Sequence, residues 1–261
     1  MDEPLSGRHV LVTRSAQQAP ALVKLIEEKG GTATSLPLIR TVRLLELWQN
    51  EVKKLQRYTY DWIVFTSVNA VRFFKEALLE SNMTLPQHVR IAAIGTKTMR
   101  ELASCGWHPE VIPNTFVAED LAETLRRKIQ VDDVVLFPKS QLARDVLAPA
   151  LREAGAEVLE MPLYTSVPDE AHKSQLQTLL KQEDIDFLTF TSPSIVQAFV
   201  DFVDGKLPGG LWKDIPAVCI GPVTEKEARR CGFHHCITAS PYTIEGLLTA
   251  LIKSLKEDYY E

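Results

Sequence analysis

Neither opening strand-to-helix turn of this chain has G-x-G-x-x-G, and G-x-x-x-x-G-K-[ST] occurs nowhere, so the glycines that bring backbone close to nucleotide phosphates are missing. A nucleotide cofactor is not expected. No G-x-S-x-G elbow is present either, which removes a familiar setting for a nucleophilic serine. No apolar run approaches the ~20 residues that span a bilayer, and residues 1–7, with Asp2 and Glu3 and no apolar core, read as neither a signal nor a transit peptide. Cytoplasm is the expected location, without membrane association. Only four cysteines occur in 261 residues, and without a secretory signal they read as reduced thiols. Positive charge is also in deficit: 29 Lys and Arg against 34 Asp and Glu leave a net charge of −5. That balance argues against a dedicated nucleic-acid binder, but it admits an acidic small molecule at a locally positive site.

What the chain does have is a long internal repeat. Val10 and Leu11 recur as Val135 and Leu136, Ser15 as Ser140, Gly30 as Gly155, and Pro37-Leu38 as Pro162-Leu163, all at an offset of 125. Phe65-Thr66-Ser67 returns as Phe190-Thr191-Ser192, and Val71 and Phe74 as Val196 and Phe199. The offset then becomes 126, pairing Ile94-Gly95 with Ile220-Gly221, Thr98 with Thr224, and Cys105-Gly106 with Cys231-Gly232. A period this long marks a domain-scale duplication, since solenoid repeats run roughly 20 to 50 residues. Two similar lobes are expected, with a cleft between them as the natural site.

Within each copy, short apolar strands alternate with helical spacing. The segments 9–13 and 134–138 are followed by helices with Leu22, Leu25 and Ile26 or Leu147, Ala150 and Leu151 on one side, ended by Gly30 and Gly155. Further strands are expected at 32–37 and 157–162, and at 62–66 and 187–191. Such alternation predicts an α/β fold in which each lobe is a mainly parallel sheet flanked by helices on both faces.

Ligands of open parallel sheets collect where strands end and the next helix begins. Three kinds of strand end stand out: Thr13-Arg14 with Pro138-Lys139, Thr66-Ser67 with Thr191-Ser192, and Gly95-Thr96 with Gly221-Pro222. Small and hydroxyl residues at helix starts present unpaired N–H groups to an anion. A single Thr-Ser is equally an ordinary N-cap that needs no ligand. Several on matching edges point toward a polyanion.

Cys231-Gly232-Phe233-His234-His235-Cys236 resembles a metal cluster. Its duplicate, Cys105-Gly106-Trp107-His108, has no second cysteine nearby, so the shared string reads as a helix end with a C′ glycine, and no metal is expected.

An asymmetric substrate requires the copies to differ. Tyr164 stands where the first copy has Ile39. A phenol stays protonated at neutral pH and can donate a proton to a leaving oxygen; it can equally pack its ring at an interface and wet its hydroxyl. Arg14 and Lys139 keep their sign in both copies, whereas Arg144 has Ala19 as its counterpart. Each could bind a carboxylate or serve as a surface charge.

Taken with the opening Val12-Thr13-Arg14, the paired Phe-Thr-Ser turns, the Ile-Gly turns, Lys139 with Arg144, and Leu163-Tyr164-Thr165, the chain resembles the uroporphyrinogen III synthase family over essentially its whole length. The resemblance implies two α/β lobes joined by two extended linker strands, with 1–38 and 167–261 forming one lobe and 39–166 the other. It also implies a linear tetrapyrrole substrate, hydroxymethylbilane, closed with inversion of its last ring and loss of water. It implies a lyase that uses no cofactor or metal, acts as a monomer, and leaves transient contact with the preceding pathway enzyme open. Tyr164 matches the tyrosine that helps the hydroxyl leave. On the first edge, Thr66, Ser67, Asn69, Gly95, Thr96, Lys97, Lys139 and Arg144 match substrate-binding positions. Thr13, Arg14, Thr191, Ser192, Ser194, Gly221, Pro222 and Thr224 do so on the second. Asn69 departs from the basic residue of some relatives, which weakens a carboxylate contact there. Two other readings remain: a non-catalytic two-lobed binder of a polyanion, and a Rossmann-like transferase, which the missing glycines disfavour.

Overall fold

A computed structural model describes residues 3–113, 115, 118–143, 146–182, 185–205 and 208–257. Along them run β1 (His9–Val12), α1 (Ala19–Glu27), β2 (Thr32–Ser35), β3 (Ile39–Arg43), α2 (Leu45–Arg57), β4 (Trp62–Phe65), α3 (Val68–Glu80), β5 (Arg90–Ala93), α4 (Thr96–Ser104) and α5 (Ala118–Arg126). There follow β6 (Val134–Ser140), α6 (Leu147–Glu153), β7 (Glu157–Pro168), α7 (Lys173–Gln182), β8 (Phe187–Phe190), α8 (Pro193–Val203), β9 (Ala217–Cys219), α9 (Pro222–Arg230), β10 (Cys236–Thr238) and α10 (Ile244–Glu257). Short 3₁₀ turns lie at Glu170–His172 and Pro208–Asp214. The chain divides into two units, one of Met1–Arg40 with Val167–Glu261 and one of Thr41–Ser166.

The first unit holds a parallel five-stranded sheet in the order β10-β9-β8-β1-β2. Its central strands β9, β8 and β1 are largely apolar on both sides because both faces are covered. Leu11, Leu188, Phe190, Ala217 and Cys219 share a core with α7, α8 and α9, whereas Val10, Val12, Phe187 and Val218 share one with α1 and α10. Alternate residues point to opposite faces, so continuous hydrophobicity is what such a strand needs.

In the second unit the order is β3-β7-β6-β4-β5. Ile63, Phe65, Leu136 and Met161 pack with α2, α3 and α4; Trp62, Val64, Val135 and Phe137 pack with α5 and α6. Along α3 the buried positions are Ala70, Val71, Phe74, Ala77 and Leu78, the one-sided spacing of a helix laid on a sheet. β3 is antiparallel to β7, since Leu44 N–H donates to Leu163 O and Asp169 N–H to Leu38 O.

The repeat register survives as strand register. Val10 pairs with Phe187 and Leu11 with Leu188; 125 residues along, Val135 pairs with Trp62 and Leu136 with Ile63. Ile237 opposite Val218 in the first unit has its counterpart in a bridge between Val111 and Ala92. The copies part company after their second strand. In one, Leu36-Pro37-Leu38 separates β2 from β3; in the other, β7 continues through Pro162 as one 12-residue strand. Gly30 and Gly155 end their helices with φ of +83° and +94°. Among the described residues no helix is long and apolar enough to cross a membrane.

Candidate functional site

At the carboxyl end of β4 the chain passes through Thr66 and Ser67 into α3. Ser67 is extended, with φ −158° and ψ 156°, and its Oγ accepts the Ala70 N–H at 3.1 Å. It is therefore an N-cap, as the local sequence allows. The same oxygen lies 2.7 Å from the Tyr164 hydroxyl, so the cap serves a second group.

Tyr164 arrives there through an irregularity in the sheet. β6 pairs Lys139 with Pro162 but Ser140 with Tyr164, so β7 carries an extra residue at Leu163. A bulge of this kind re-aims the side chains after it. Met161, Leu163 and Tyr164 consequently all enter one core, where strict alternation would have sent Tyr164 to the other face. The Tyr164 ring stacks on Phe73 with centroids 5.1 Å apart and 13° between planes, and Trp48 meets the edge of Phe73 at 6.5 Å and 74°. Such ring pairs contribute about 0.5–1.5 kcal/mol each beyond simple burial. Tyr164 is 7% exposed. Burial pushes its phenol above the usual value of 10, while the Ser67 hydrogen bond pulls the other way.

Elsewhere on this unit's carboxyl edge, Gly95 caps α4 with φ +87°, and Thr96 and Lys97 stand exposed in its first turn. Asn69 reaches Thr41 Oγ1 at 3.5 Å. Lys139 is buried and already paired: its Nζ is 2.6 Å from Glu160 Oε2, and Arg152 holds Oε1 of the same carboxylate at 2.8 Å. Burial raises the Glu160 carboxyl, but hydrogen bonds from Lys139 and Arg152 outweigh it and hold the group below its ordinary value. Arg144 lies outside the described residues.

The first unit repeats the edge with different second partners. Ser192 caps α8 in the same conformation and accepts the Ile195 N–H at 3.4 Å, but its hydroxyl meets Ser194 at 2.9 Å instead of a phenol. Thr191 beside it is half-buried. Gly221 begins α9 without a side-chain cap, Pro222 is exposed in the first turn, and Thr224 is buried with its N–H donating to Gly221 O at 3.1 Å. Thr13 is fully buried and donates to Thr189 O, so its hydroxyl is committed inside the sheet. Arg14 donates from Nη2 to Gln18 at 2.9 Å, while its buried Nε has no partner among the described residues. Burial lowers its guanidinium below the usual range.

Thus the second unit gathers Thr66, Ser67 and Tyr164 at one spot, and the first gathers Thr191, Ser192 and Ser194, with Arg14 after β1 and Gly221 and Thr224 at the start of α9 along the same sheet edge. Two residues central to this arrangement escaped the sequence reading: Phe73 behind the phenol, and Glu160 opposite Lys139. Both had a signal in the repeat, because their matched positions are Ala198 and Ser35. The cysteine-rich string is a helix end in both copies: Cys105 and Cys231 are C-caps, followed by Gly106 and Gly232 at φ +74° and +98°. Among the described residues, no group of three or more His, Cys, Asp and Glu is placed to hold a metal ion.

A family model described as "Uroporphyrinogen-III synthase HemD" matches residues 20–249. A Methanocaldococcus jannaschii protein is 31% identical over 251 residues, spanning 95% of this chain and 99% of its own. The uroporphyrinogen-III synthase of Synechococcus elongatus is 27% identical over 262 residues, 96% of each. Among solved structures, the fold is similar to uroporphyrinogen-III synthetase from Helicobacter pylori, with a TM-score of 0.62 at 20% identity, covering 95% of this chain and 99% of that one.

Proposed function

We propose, from the premise that the chain belongs to the uroporphyrinogen-III synthase family, that its Tyr164–Ser67 pair supplies the proton with which ring closure begins. The enzyme is a cyclising lyase of tetrapyrrole biosynthesis: it converts hydroxymethylbilane to uroporphyrinogen III, inverting the last pyrrole ring and releasing water. The observation that carries the assignment of the pair is the 2.7 Å contact between the Tyr164 and Ser67 hydroxyls at a strand end.

The terminal hydroxyl of the substrate is a poor leaving group until it is protonated. Ser67 Oγ already accepts the Ala70 N–H, so its own proton is available to Tyr164 Oη. The phenol proton is then free for the departing oxygen. As the C–O bond breaks, its electron pair leaves with the oxygen as water, and the Ser67 hydrogen bond stabilises the phenolate left behind. Loss of the pyrrole N–H proton gives the azafulvene. The substituted carbon of the last ring attacks it, and the resulting spiro intermediate fragments and recloses with that ring inverted. A proton released during these steps restores the phenol, so one water is lost and the catalyst is unchanged. Because the unassisted reaction closes the same chain without inversion, orientation of the last ring is the larger contribution, and near-attack positioning supplies it.

Substrate carboxylates are assigned to the α3 and α4 starts with Thr66, Asn69, Gly95, Thr96 and Lys97, and to the α8 and α9 starts with Thr191, Ser194, Gly221, Pro222 and Thr224, helped by Arg14 and Arg144. Helix starts of this kind favour anions by roughly 0.3–1 kcal/mol each. The reading takes the protein as a cytoplasmic monomer with an internally duplicated, two-lobed chain joined through β3 and β7.

The test is to give the purified protein freshly prepared hydroxymethylbilane, oxidise the products and separate the uroporphyrin isomers. Isomer III above the spontaneous isomer I background is the expected result. Isomer I alone, from folded protein and reactive substrate, would overturn the activity and leave a binding protein for a polyanion.

A further inference from the structure

The geometry points to Phe73 as a positioning residue for Tyr164: its ring, lying on the face of the phenol, fixes the plane from which the Tyr164 hydroxyl presents its proton. This rests on the reading of Tyr164 as the proton donor. The hydrogen bond between the Ser67 and Tyr164 hydroxyls locates the phenol oxygen, but it does not fix the rotation of the ring about its long axis, a torsion with broad wells. A second ring 5.1 Å away and within 13° of parallel does fix it. Phe73 is itself held. Trp48 meets its edge, the Trp48 indole N–H donates to Glu80, and Arg43 both pairs with Glu80 and lies over the Trp48 ring at 5.1 Å.

The repeat supplies an independent argument. Phe73 corresponds to Ala198, and Tyr164 corresponds to Ile39, so the first unit lacks both rings together. Ala198 is buried in the core beneath α8, which shows that a methyl group suffices at this position to seat the helix on its sheet. Packing α3 therefore does not require a phenyl ring at 73. What differs between the copies is the phenol that the ring faces.

The test compares wild type, Phe73→Leu, Phe73→Tyr and Tyr164→Phe for kcat and KM of isomer III formation. In parallel, protein carrying ¹³C-labelled tyrosine is titrated by NMR, the Tyr164 resonance being the one missing from Tyr164→Phe. For Phe73→Leu the expected result is a kcat lowered about tenfold with KM within about twofold, a displaced Tyr164 resonance, and a titration midpoint that falls toward the ordinary phenol value. Phe73→Tyr should restore most of the lost rate, because it returns a ring to the same face. A role in packing alone would lower the melting temperature without moving kcat or the resonance, and that outcome would overturn the inference. Should Phe73→Leu melt below the assay temperature, Phe73→Met, close to it in volume and flexible, is read in its place. If Tyr164→Phe loses rate while the Phe73 variants do not, the acid stands and its positioning by Phe73 fails. If Tyr164→Phe keeps the full rate, Tyr164 is not the acid, and the inference falls with it.

Discussion

Tyr164 is gripped at both ends of its side chain, by Phe73 on the ring and Ser67 on the hydroxyl. Burial raises its phenol, so the group is neutral and proton-bearing throughout the physiological range, as an acid must be before it acts. Tyr164→Phe keeps the stack and removes only the hydroxyl. Its kcat for isomer III should fall about 10²-fold with KM nearly constant, read from the isomer ratio over time. The pH dependence follows in sign. A value raised on folding means that the neutral form, and the stability it brings, is complete below the unfolded phenol's value near 10 and is lost as pH rises through the raised one. The alkaline limb of kcat should lie above pH 10 and disappear in Tyr164→Phe; a limb well below that belongs to some other group. Lys139 makes the opposite case, a cation that sequence reasoning offers to the substrate and that the fold places against Glu160. Lys139→Met should cost about 1–2 kcal/mol, because Glu160 keeps Arg152 and some solvent. That appears as a lower melting temperature with KM unchanged. A raised KM at an unchanged melting temperature would return Lys139 to the substrate.

Two helices begin with the same device and use it differently. Ser67 and Ser192 cap α3 and α8 with nearly identical backbone angles, yet one serine faces a phenol and the other a serine. Ser67→Ala and Ser192→Ala should each lose about 1 kcal/mol as caps, measured by denaturant unfolding, but only Ser67→Ala should lose rate on the scale of Tyr164→Phe. Equal rate losses would mean that the caps matter through the helices alone. These starts were legible because Thr-Ser ahead of an amphipathic run is a local signal, and so were the apolar strands they follow. The bulge at Leu163 was not legible. It depends on β6 and β7 pairing out of step after Lys139, a relation between residues 24 apart that no local pattern encodes. The stack on Phe73 depends on that bulge and was hidden with it, although the Phe73 and Ala198 mismatch stood in the repeat.

At the scale of the whole chain, repetition alone would place a division near residue 130, yet β1 pairs with β8 and β6 with β4. Sequence could not choose between these partners from the pairing itself. Trp62 and Phe187 occupy the same register position, both are apolar and buried, and Val10 would pack beside either. Chain connectivity separates the alternatives, and its consequence can be tested directly. Every described residue of the two cores flanking the second sheet falls within Thr41–Ser166. A fragment of those residues should therefore fold by itself, giving a cooperative melt and a near-ultraviolet circular dichroism signal from Trp48, Trp62 and Trp107. It keeps Ser67, Phe73 and Tyr164 but lacks Arg14, Thr191 and Thr224, so it should form no isomer III above background while still showing the raised Tyr164 titration. A fragment that melts without cooperativity would make the second unit dependent on the rest of the chain. Isomer III from the folded fragment would remove the first unit's residues from the substrate site and leave the chemistry to the hydroxyl pair and the ring behind it.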